Sequence, residues 1–280
     1  MSVARLSAAF ARAKEQGRAA LVAYVMAGDP DFDICTSILD ALPASGVDVI
    51  ELGFPFTDPM ADGPSIQRAG IRALAGGTTL VKTLALAAGF RAKHPDTALI
   101  IMGYLNPIET MGYEAFSRRA ADSGVDGAII VDAPAEEDGE LRGAMEVHNL
   151  ALIRLFTPTT DAARMPRVAE NVSGFAYYVS VAGITGDKET KTSNLEDAVG
   201  AVRAATGLPV AVGFGIKTPA MAAQVAKVAD GVVVGTALVD EIAKATQSGG
   251  DPAKAAAAFC ASLSAAIQEA GKEAGVGKTS

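Results

Sequence analysis

Residues 47–64 read VDVIELGFPFTDPMADGP. Val47, Val49, Ile50 and Leu52 make a short apolar run of the kind a parallel sheet buries on both faces. Glu51 stands inside that run. Burying an unpaired carboxylate is costly, so its presence predicts an acid that is paired or one whose protonation is used. The strand stops at Gly53. The loop beyond carries Pro55, Pro59 and Pro64, with acids at Asp58 and Asp62. Prolines fix φ and lower the entropy of the open loop, which leaves Asp62 little freedom to wander. Pro64 then suits the first position of a helix running through SIQRAGIRAL. Glu51 at a strand end and Asp62 on the following loop can therefore face one pocket.

Seven further apolar runs surround this one. The predicted strands are Leu21–Ala27, Val47–Leu52, Ala98–Leu105, Gly127–Ala133, Ala151–Thr157, Phe175–Val181, Pro209–Phe214 and Gly231–Leu238. Between them lie helical patterns rich in Ala, Leu, Glu, Lys and Arg: Asp33–Leu42, Leu80–His94, Tyr113–Ser123, Glu136–His148, Asp161–Glu170, Leu195–Ala205 and Pro219–Lys227. A last helix, Asp251–Lys272, closes the chain. Eight alternations in 280 residues give about 35 residues per unit, the size of a βα repeat. A faint internal echo marks the turns into strands: Gly46-Val47-Asp48, Gly124-Val125-Asp126 and Ala229-Asp230-Gly231. No linker or compositional shift divides the chain. The expected architecture is α/β, one domain over residues 1–280, a (β/α)8 TIM barrel, with a doubly wound open sheet as the alternative. Val3, Leu6 and Phe10 share a helical face ahead of the first strand, which predicts an N-terminal cap helix.

Half of the residues are hydrophobic and mean hydropathy is +0.27, ample for a core. Lys plus Arg number 24 against 32 acids, a net charge of −8 without a basic stripe, so nucleic acid is not an expected partner. Cys35 and Cys260 lie in helical, apolar contexts and read as buried small hydrophobes rather than a disulfide. No apolar run has the length of a membrane span, and the N-terminus lacks the apolar core of a signal peptide. A soluble cytoplasmic protein is expected.

In a barrel, function gathers at the C-terminal strand ends. Those ends carry Tyr24, Glu51, Tyr104, Asn106, Asp132, Tyr177 and Phe214. After the seventh and eighth strands come VGFGIKTP (212–219) and VGTALVD (234–240). Gly213, Gly215 and Gly235 let backbone N–H groups approach an anion, and Thr236 can open a helix whose N-terminus favours phosphate. Gly183 and Gly186, after the sixth strand, could complete that cradle. The polar stretch GITGDKETKTSN is either a solvated loop or a lid.

The remaining chemistry narrows by elimination. His94 and His148 end helices on the side leading into strands, so metal catalysis and Ser–His chemistry lack their residues. No lysine interrupts a strand interior, which disfavours a Schiff base; Lys217 reads as a loop charge. Acid–base work by carboxylates remains, with Glu51 the leading candidate. Asp62 and Asp58 also suit ordinary turn chemistry. The aromatics Tyr24, Tyr104, Tyr177 and Phe214 would shape an apolar mouth.

The stretch IELGFPFTDPMADGPSIQRA (50–69) resembles the tryptophan synthase alpha chain family. AGDP (27–30), MGYLNP (102–107), VDAPAEE (131–137), FTPTT (156–160), YYVSVAGITG (177–186), VGFGIKTP and VGTALV resemble it in the same order, so the likeness spans the chain. It implies a (β/α)8 barrel that cleaves indole-3-glycerol phosphate to indole and glyceraldehyde 3-phosphate. It also implies a pyridoxal-phosphate-bearing beta chain as partner in an α2β2 heterotetramer, and no cofactor or metal in this chain. By position, Glu51 matches the family's general acid/base and Asp62 the acid that holds the indole N–H. Tyr177 matches the tyrosine facing Glu51, and Gly186, Gly215, Gly235 and Thr236 match the phosphate cradle. Tyr24, Tyr104 and Phe214 would border the substrate. Two positions depart from the pattern: Tyr24 stands for phenylalanine beside the indole ring, and Val181 for the arginine of some members. Another phosphate-binding barrel enzyme and a non-catalytic regulatory barrel are the competing classes.

Overall fold

The structure, a computed structural model, describes residues 2–180, 188–213 and 215–276. Val181, Gly183, Gly186 and Phe214 therefore lie outside the described residues. Each predicted apolar run contains a parallel strand. In chain order they are β1 (Ala20–Met26), β2 (Val49–Gly53), β3 (Ala98–Gly103), β4 (Gly127–Ile130), β5 (Ala151–Leu152), β6 (Leu155–Phe156), β7 (Ala176–Val179), β8 (Val210–Gly213) and β9 (Gly231–Val234). The sheet order is β5-β4-β3-β2-β1-β9-β8-β7-β6. Its two ends are consecutive pieces of one predicted strand, Ala151–Thr157, interrupted at Ile153 and Arg154. Ile153 N donates to Ala128 O (3.0 Å) on one side, and Tyr177 N donates to Arg154 O (3.1 Å) on the other. The chain itself thus joins the sheet's ends, and the sheet closes as a (β/α)8 barrel rather than an open one.

Alternation along the strands divides the apolar residues into two layers. Val22, Val49, Ile100, Ile129, Ile153 and Val233 fill the barrel. The N-terminal helix Ser2–Glu15 adds Leu6, Ala9, Phe10 and Ala13 to that cluster. The Phe10 ring lies 5.2 Å from Phe175, so this helix plugs the N-terminal end of the barrel. The opposite strand face, with Leu21, Ile50, Leu52 and Leu99, packs on the helices. Cys35 and Cys260 are free and fully buried in that outer layer.

Several boundaries differ from expectation. The third run ends at Gly103 because Leu105–Met111 is helical, and the last ends at Val234 because the helix Thr236–Gln247 follows. The helix expected over Asp161–Glu170 shrinks to Met165–Ala169, since the Asp161 carboxylate accepts from Ala163 N (3.0 Å) and Arg164 N (2.9 Å) and holds a turn. The helix expected to start at Leu195 starts at Lys188, so the second half of the polar stretch after the sixth strand is helical, not loop.

The repeated Gly-Val-Asp pattern has a structural meaning. Asp48, ahead of β2, donates its N–H to Leu21 O (2.9 Å) and accepts Leu21 N on its carboxylate (2.8 Å). Asp126 makes the same pair of bonds to Leu99 (2.8 and 2.9 Å), and Asp230 to Val210 (2.9 and 2.8 Å). Ser173 repeats it with a hydroxyl, donating to Leu152 O (3.3 Å) and accepting Leu152 N (3.1 Å). Every second barrel strand therefore clips its predecessor at the start. Arginines answer the three carboxylates: Arg18 meets Asp48, Arg203 meets Asp230, and Arg5 and Arg91 both meet Asp126.

Asp126 has no exposed side-chain surface, whereas Asp230 is 36% exposed. Removing the carboxylate at 126 strands two arginines and a buried N–H. Asp126→Ala should lower the unfolding free energy by about 3–5 kcal/mol. Asp230→Ala, with a solvated arginine, should lose about 1–2 kcal/mol, mainly the strand-start hydrogen bond. Urea denaturation of the two variants checks this; equal losses would contradict the role of burial.

Candidate active site

At the C-terminal end of the barrel a cavity of about 140 Å³ opens. Tyr24, Glu51, Asp62, Tyr177, Gly215, Lys217, Gly235 and Thr236 line it, with Met102, Ile66 and Val233 as apolar wall. Glu51 and Asp62 thus share one cavity, as their spacing suggests.

Glu51 is held between two strands, in register with Tyr24 on β1 and Ile100 on β3. Only 1% of it is exposed, and its Oε2 accepts no hydrogen bond among the described residues. No arginine or lysine is ion-paired to it there. Burial alone therefore pushes its carboxyl up to about 8, so the group is a neutral acid at pH 7. Tyr177 and Tyr24 face it, and both phenols are raised, first by burial and then by neighbouring acids that include Glu51. Two glycines make room for these rings. A Cβ at Gly53 would sit 2.2 Å from Tyr24 Oη, and one at Gly213 would sit 2.3 Å from Tyr177 Oη. Gly213, expected to bring its backbone to an anion, instead admits the Tyr177 phenol, while its carbonyl accepts from Ser180 N (3.1 Å) and Ser180 Oγ (3.3 Å).

Asp62 sits on a loop fixed at several points. Asp62 N donates to Pro59 O (3.1 Å), and Gln67 Nε2 donates to Asp62 O (2.9 Å). Pro64 opens the helix Pro64–Ala75, as expected of it. Arg72 of that helix grips the buried Asp29 beyond β1 through Nε (2.6 Å) and Nη2 (2.9 Å). Tyr104 stands behind the loop and does not line the cavity, where it was expected. Its buried hydroxyl accepts Ala61 N (3.1 Å) and hydrogen-bonds the Asp62 carboxylate, and its ring lies 5.4 Å from Phe56. Partial burial raises the Asp62 carboxyl and the Tyr104 bond opposes that rise.

Gly215, Lys217, Gly235 and Thr236, all in the cavity lining, are groups that suit an anion. Gly215 has φ +81°, a left-handed conformation that other residues adopt at a cost. Gly235 precedes the helix Thr236–Gln247, and no side chain caps its first N–H groups. Gly235 and Thr236, at the positive end of the helix dipole, line the cavity. Lys217 is the cation of the described lining. Sequence reading passed over it as a loop charge, although its place two residues beyond Gly215 was the available signal. Phe214 and Gly186 lie outside the described residues. His94 and His148 are remote from the cavity: one stacks on Phe90 and meets Asp40 (3.1 Å), the other meets Glu114 (2.9 Å).

A family model described as tryptophan synthase alpha chain matches residues 10–268. The tryptophan synthase alpha chain of Phenylobacterium zucineum is 58% identical over 90% of this chain and 91% of its own. That of Rhizorhabdus wittichii is 54% identical over 96% and 98%. Among solved structures, the alpha subunit from Legionella pneumophila str. Paris superposes with a TM-score of 0.89 at 42% identity, covering 95% of this chain and 98% of its own. A tryptophan synthase from M. tuberculosis, in an open form with BRD0059 bound, gives 0.84 at 34% identity, with 94% and 98% coverage.

The Glu51 carboxyl couples stability to pH. An ordinary glutamate loses its proton near 4.5, this one near 8. Below 4.5 both folded and unfolded chains hold the proton. Between 4.5 and 8 only the unfolded chain gives it up, so the barrel loses stability as pH rises, by at most about 1.4 kcal/mol per pH unit. Glu51→Gln lacks this loss. Its denaturation midpoint should therefore gain on the parent protein's from pH 5 to pH 8; a constant difference across that range would show that the buried carboxyl does not titrate as its surroundings dictate.

Proposed function

The chain belongs to the tryptophan synthase alpha chain family, and we propose that Glu51 and Asp62 carry out that family's reaction here. The protein is a carbon–carbon lyase of tryptophan biosynthesis that cleaves indole-3-glycerol phosphate to indole and glyceraldehyde 3-phosphate. The observation that carries the residue assignment is a protonated, buried Glu51 in the cavity that also holds Asp62 and an anion-binding end.

Glu51 delivers its proton to indole C3. That carbon becomes tetrahedral and the ring becomes an electron sink. The bond from C3 to the side chain then breaks, its electrons return to the ring, and the adjacent hydroxyl becomes the aldehyde as its proton leaves. Glu51, now a carboxylate, retrieves that proton, so one group serves as acid and base. The carboxylate of Asp62 accepts the indole N–H and stabilises the positive charge that develops there. Tyr104 keeps Asp62 in place. Tyr177 covers Glu51, and Tyr24 borders the ring with a hydroxyl where the family pattern has phenylalanine. Gly215, Gly235 and Thr236 receive the phosphate through backbone N–H groups, and Lys217 adds charge at the lip. The chemistry needs no cofactor in this chain and no metal.

Alpha chains of this family work with a beta chain. We place this one, as a single-domain subunit, in an α2β2 heterotetramer of the cytoplasm, with pyridoxal phosphate in the beta chain and indole passed to it. No single helix among the described residues is long and apolar enough to cross a membrane. The rim formed by residues 55–60, 106–107 and 132–136 is the proposed contact with the beta chain. Met60, 74% exposed beside the cavity mouth, supports that surface.

Two variants test the reading. Glu51→Gln should fold at least as stably as the parent and bind substrate, yet lose indole release by about 10²–10⁴-fold, because glutamine cannot exchange a proton. Turnover within tenfold of the parent would remove Glu51 from the mechanism. Gly215→Asp should raise KM steeply by setting a charge and a strained Cβ against the phosphate. An unchanged KM would argue against the anion end.

A further inference from the structure

The fifth barrel strand is broken where its neighbours are continuous, and a charged residue stands at the break. Arg154 lies on the helix-facing side of the strand, between Leu152 and Phe156, which are both packed in the outer apolar layer. It is 8% exposed. Each of its three guanidinium nitrogens donates. Nε donates to Asp138 Oδ2 (2.9 Å) and Nη2 donates to the same oxygen. Nη1 donates to Val168 O (3.0 Å) and to Glu170 O, carbonyls at the end of the short helix Met165–Ala169. Asp138, 3% exposed, ends the loop that follows β4 and precedes the helix Gly139–Val147.

The backbone of the same residue reaches the active site. Arg154 O accepts Tyr177 N (3.1 Å), and the next residue, Leu155, is in register with Tyr177. Tyr177 lines the cavity and faces Glu51. This hydrogen bond is also one of the bonds that close the barrel. A buried guanidinium that makes four hydrogen bonds cannot shift without leaving a buried charge or a buried carbonyl unanswered. Its carbonyl, and the tyrosine hung from it, are held as firmly as its guanidinium.

We propose that Arg154, locked by Asp138, is a positioning residue for Tyr177 and links the loop of residues 131–138 to the reacting end of the barrel. The inference rests on the assignment of Tyr177 and Glu51 to the cleavage reaction. That loop belongs to the rim proposed to meet the beta chain. Displacing Asp138 would therefore move the break in the fifth strand and the phenol over Glu51, with no ligand contact at Arg154 itself.

The test compares four full-length proteins: the parent, the paired replacement Arg154→Met with Asp138→Leu, Tyr177→Phe, and all three changes together. Replacing both charges by apolar groups avoids stranding either one, so the paired variant folds where Arg154→Met alone could fail. Indole release is measured well below each melting temperature, with kcat and KM separated. The expected result is a fall of about tenfold in kcat for the paired variant, from misplacement of a site group, with KM within about twofold of the parent. In the Tyr177→Phe background the same paired change should alter kcat by less than about twofold, since interacting sites are non-additive. An equal loss in both backgrounds, no loss in either, or a loss confined to KM would overturn the link. Parent-like kcat in Tyr177→Phe alone would instead overturn the assignment of Tyr177 on which the link stands.

Discussion

Three buried or half-buried carboxylates and one hydroxyl fix the register of this barrel from its N-terminal end. Asp48, Asp126, Ser173 and Asp230 each exchange two hydrogen bonds with the first residues of the preceding strand. A parallel sheet must match its register all the way round before it can close, and one slipped strand would turn its interior residues outward. Clips at alternate strand starts prevent that slip where helices and loops are tightly packed. The C-terminal strand ends are then free to carry groups chosen for chemistry. Barrel proteins divide their labour in this way, with stability at one face and function at the other.

The functional face departs from the rules that the opposite face obeys. Glu51 is an acid in an apolar strand with no cation to answer it among the described residues. Its neutrality is the only state that a dry interior tolerates cheaply, and that same neutrality makes it a proton donor at pH 7. Asp62, less buried and hydrogen-bonded by Tyr104, occupies a different environment in the same cavity. Two carboxyl groups a short distance apart in sequence are thereby given different environments, by burial and by the Tyr104 hydrogen bond. Lys217, Gly215, Gly235 and Thr236 line the same cavity as the two acids.

The broken fifth strand belongs to the same logic. A continuous strand would have placed an apolar residue where Arg154 stands. The guanidinium instead satisfies the end of a helix too short to cover the strand, and its partner Asp138 joins the neighbouring loop. Local irregularity of this kind concentrates at functional faces, where a regular element would point its side chains wrongly.

The sequence by itself narrowed the fold to a parallel α/β barrel or a doubly wound sheet and singled out the acid pair. Eight apolar runs alternating with amphipathic helices allow little else, and a carboxylate inside such a run announces itself as an exception. The proline-fixed loop put Asp62 within reach of Glu51, and the Gly-Val-Asp echo was visible before its purpose was. The resemblance of residues 50–69 supplied the substrate, which periodicity cannot. Only the tertiary structure decided what depends on groups far apart in the chain. Gly213 admits Tyr177 because β7 and β8 lie side by side, and Tyr104 serves Asp62 from behind the loop rather than touching the cavity. Lys217, beyond the end of β8, lines the cavity. Arg154 finds Asp138 and Tyr177 across the closure of the sheet. Strand periodicity is a local property of side-chain alternation. Contacts across a closed sheet depend on which strands become neighbours and at what register, and that is settled only when the last strand meets the first.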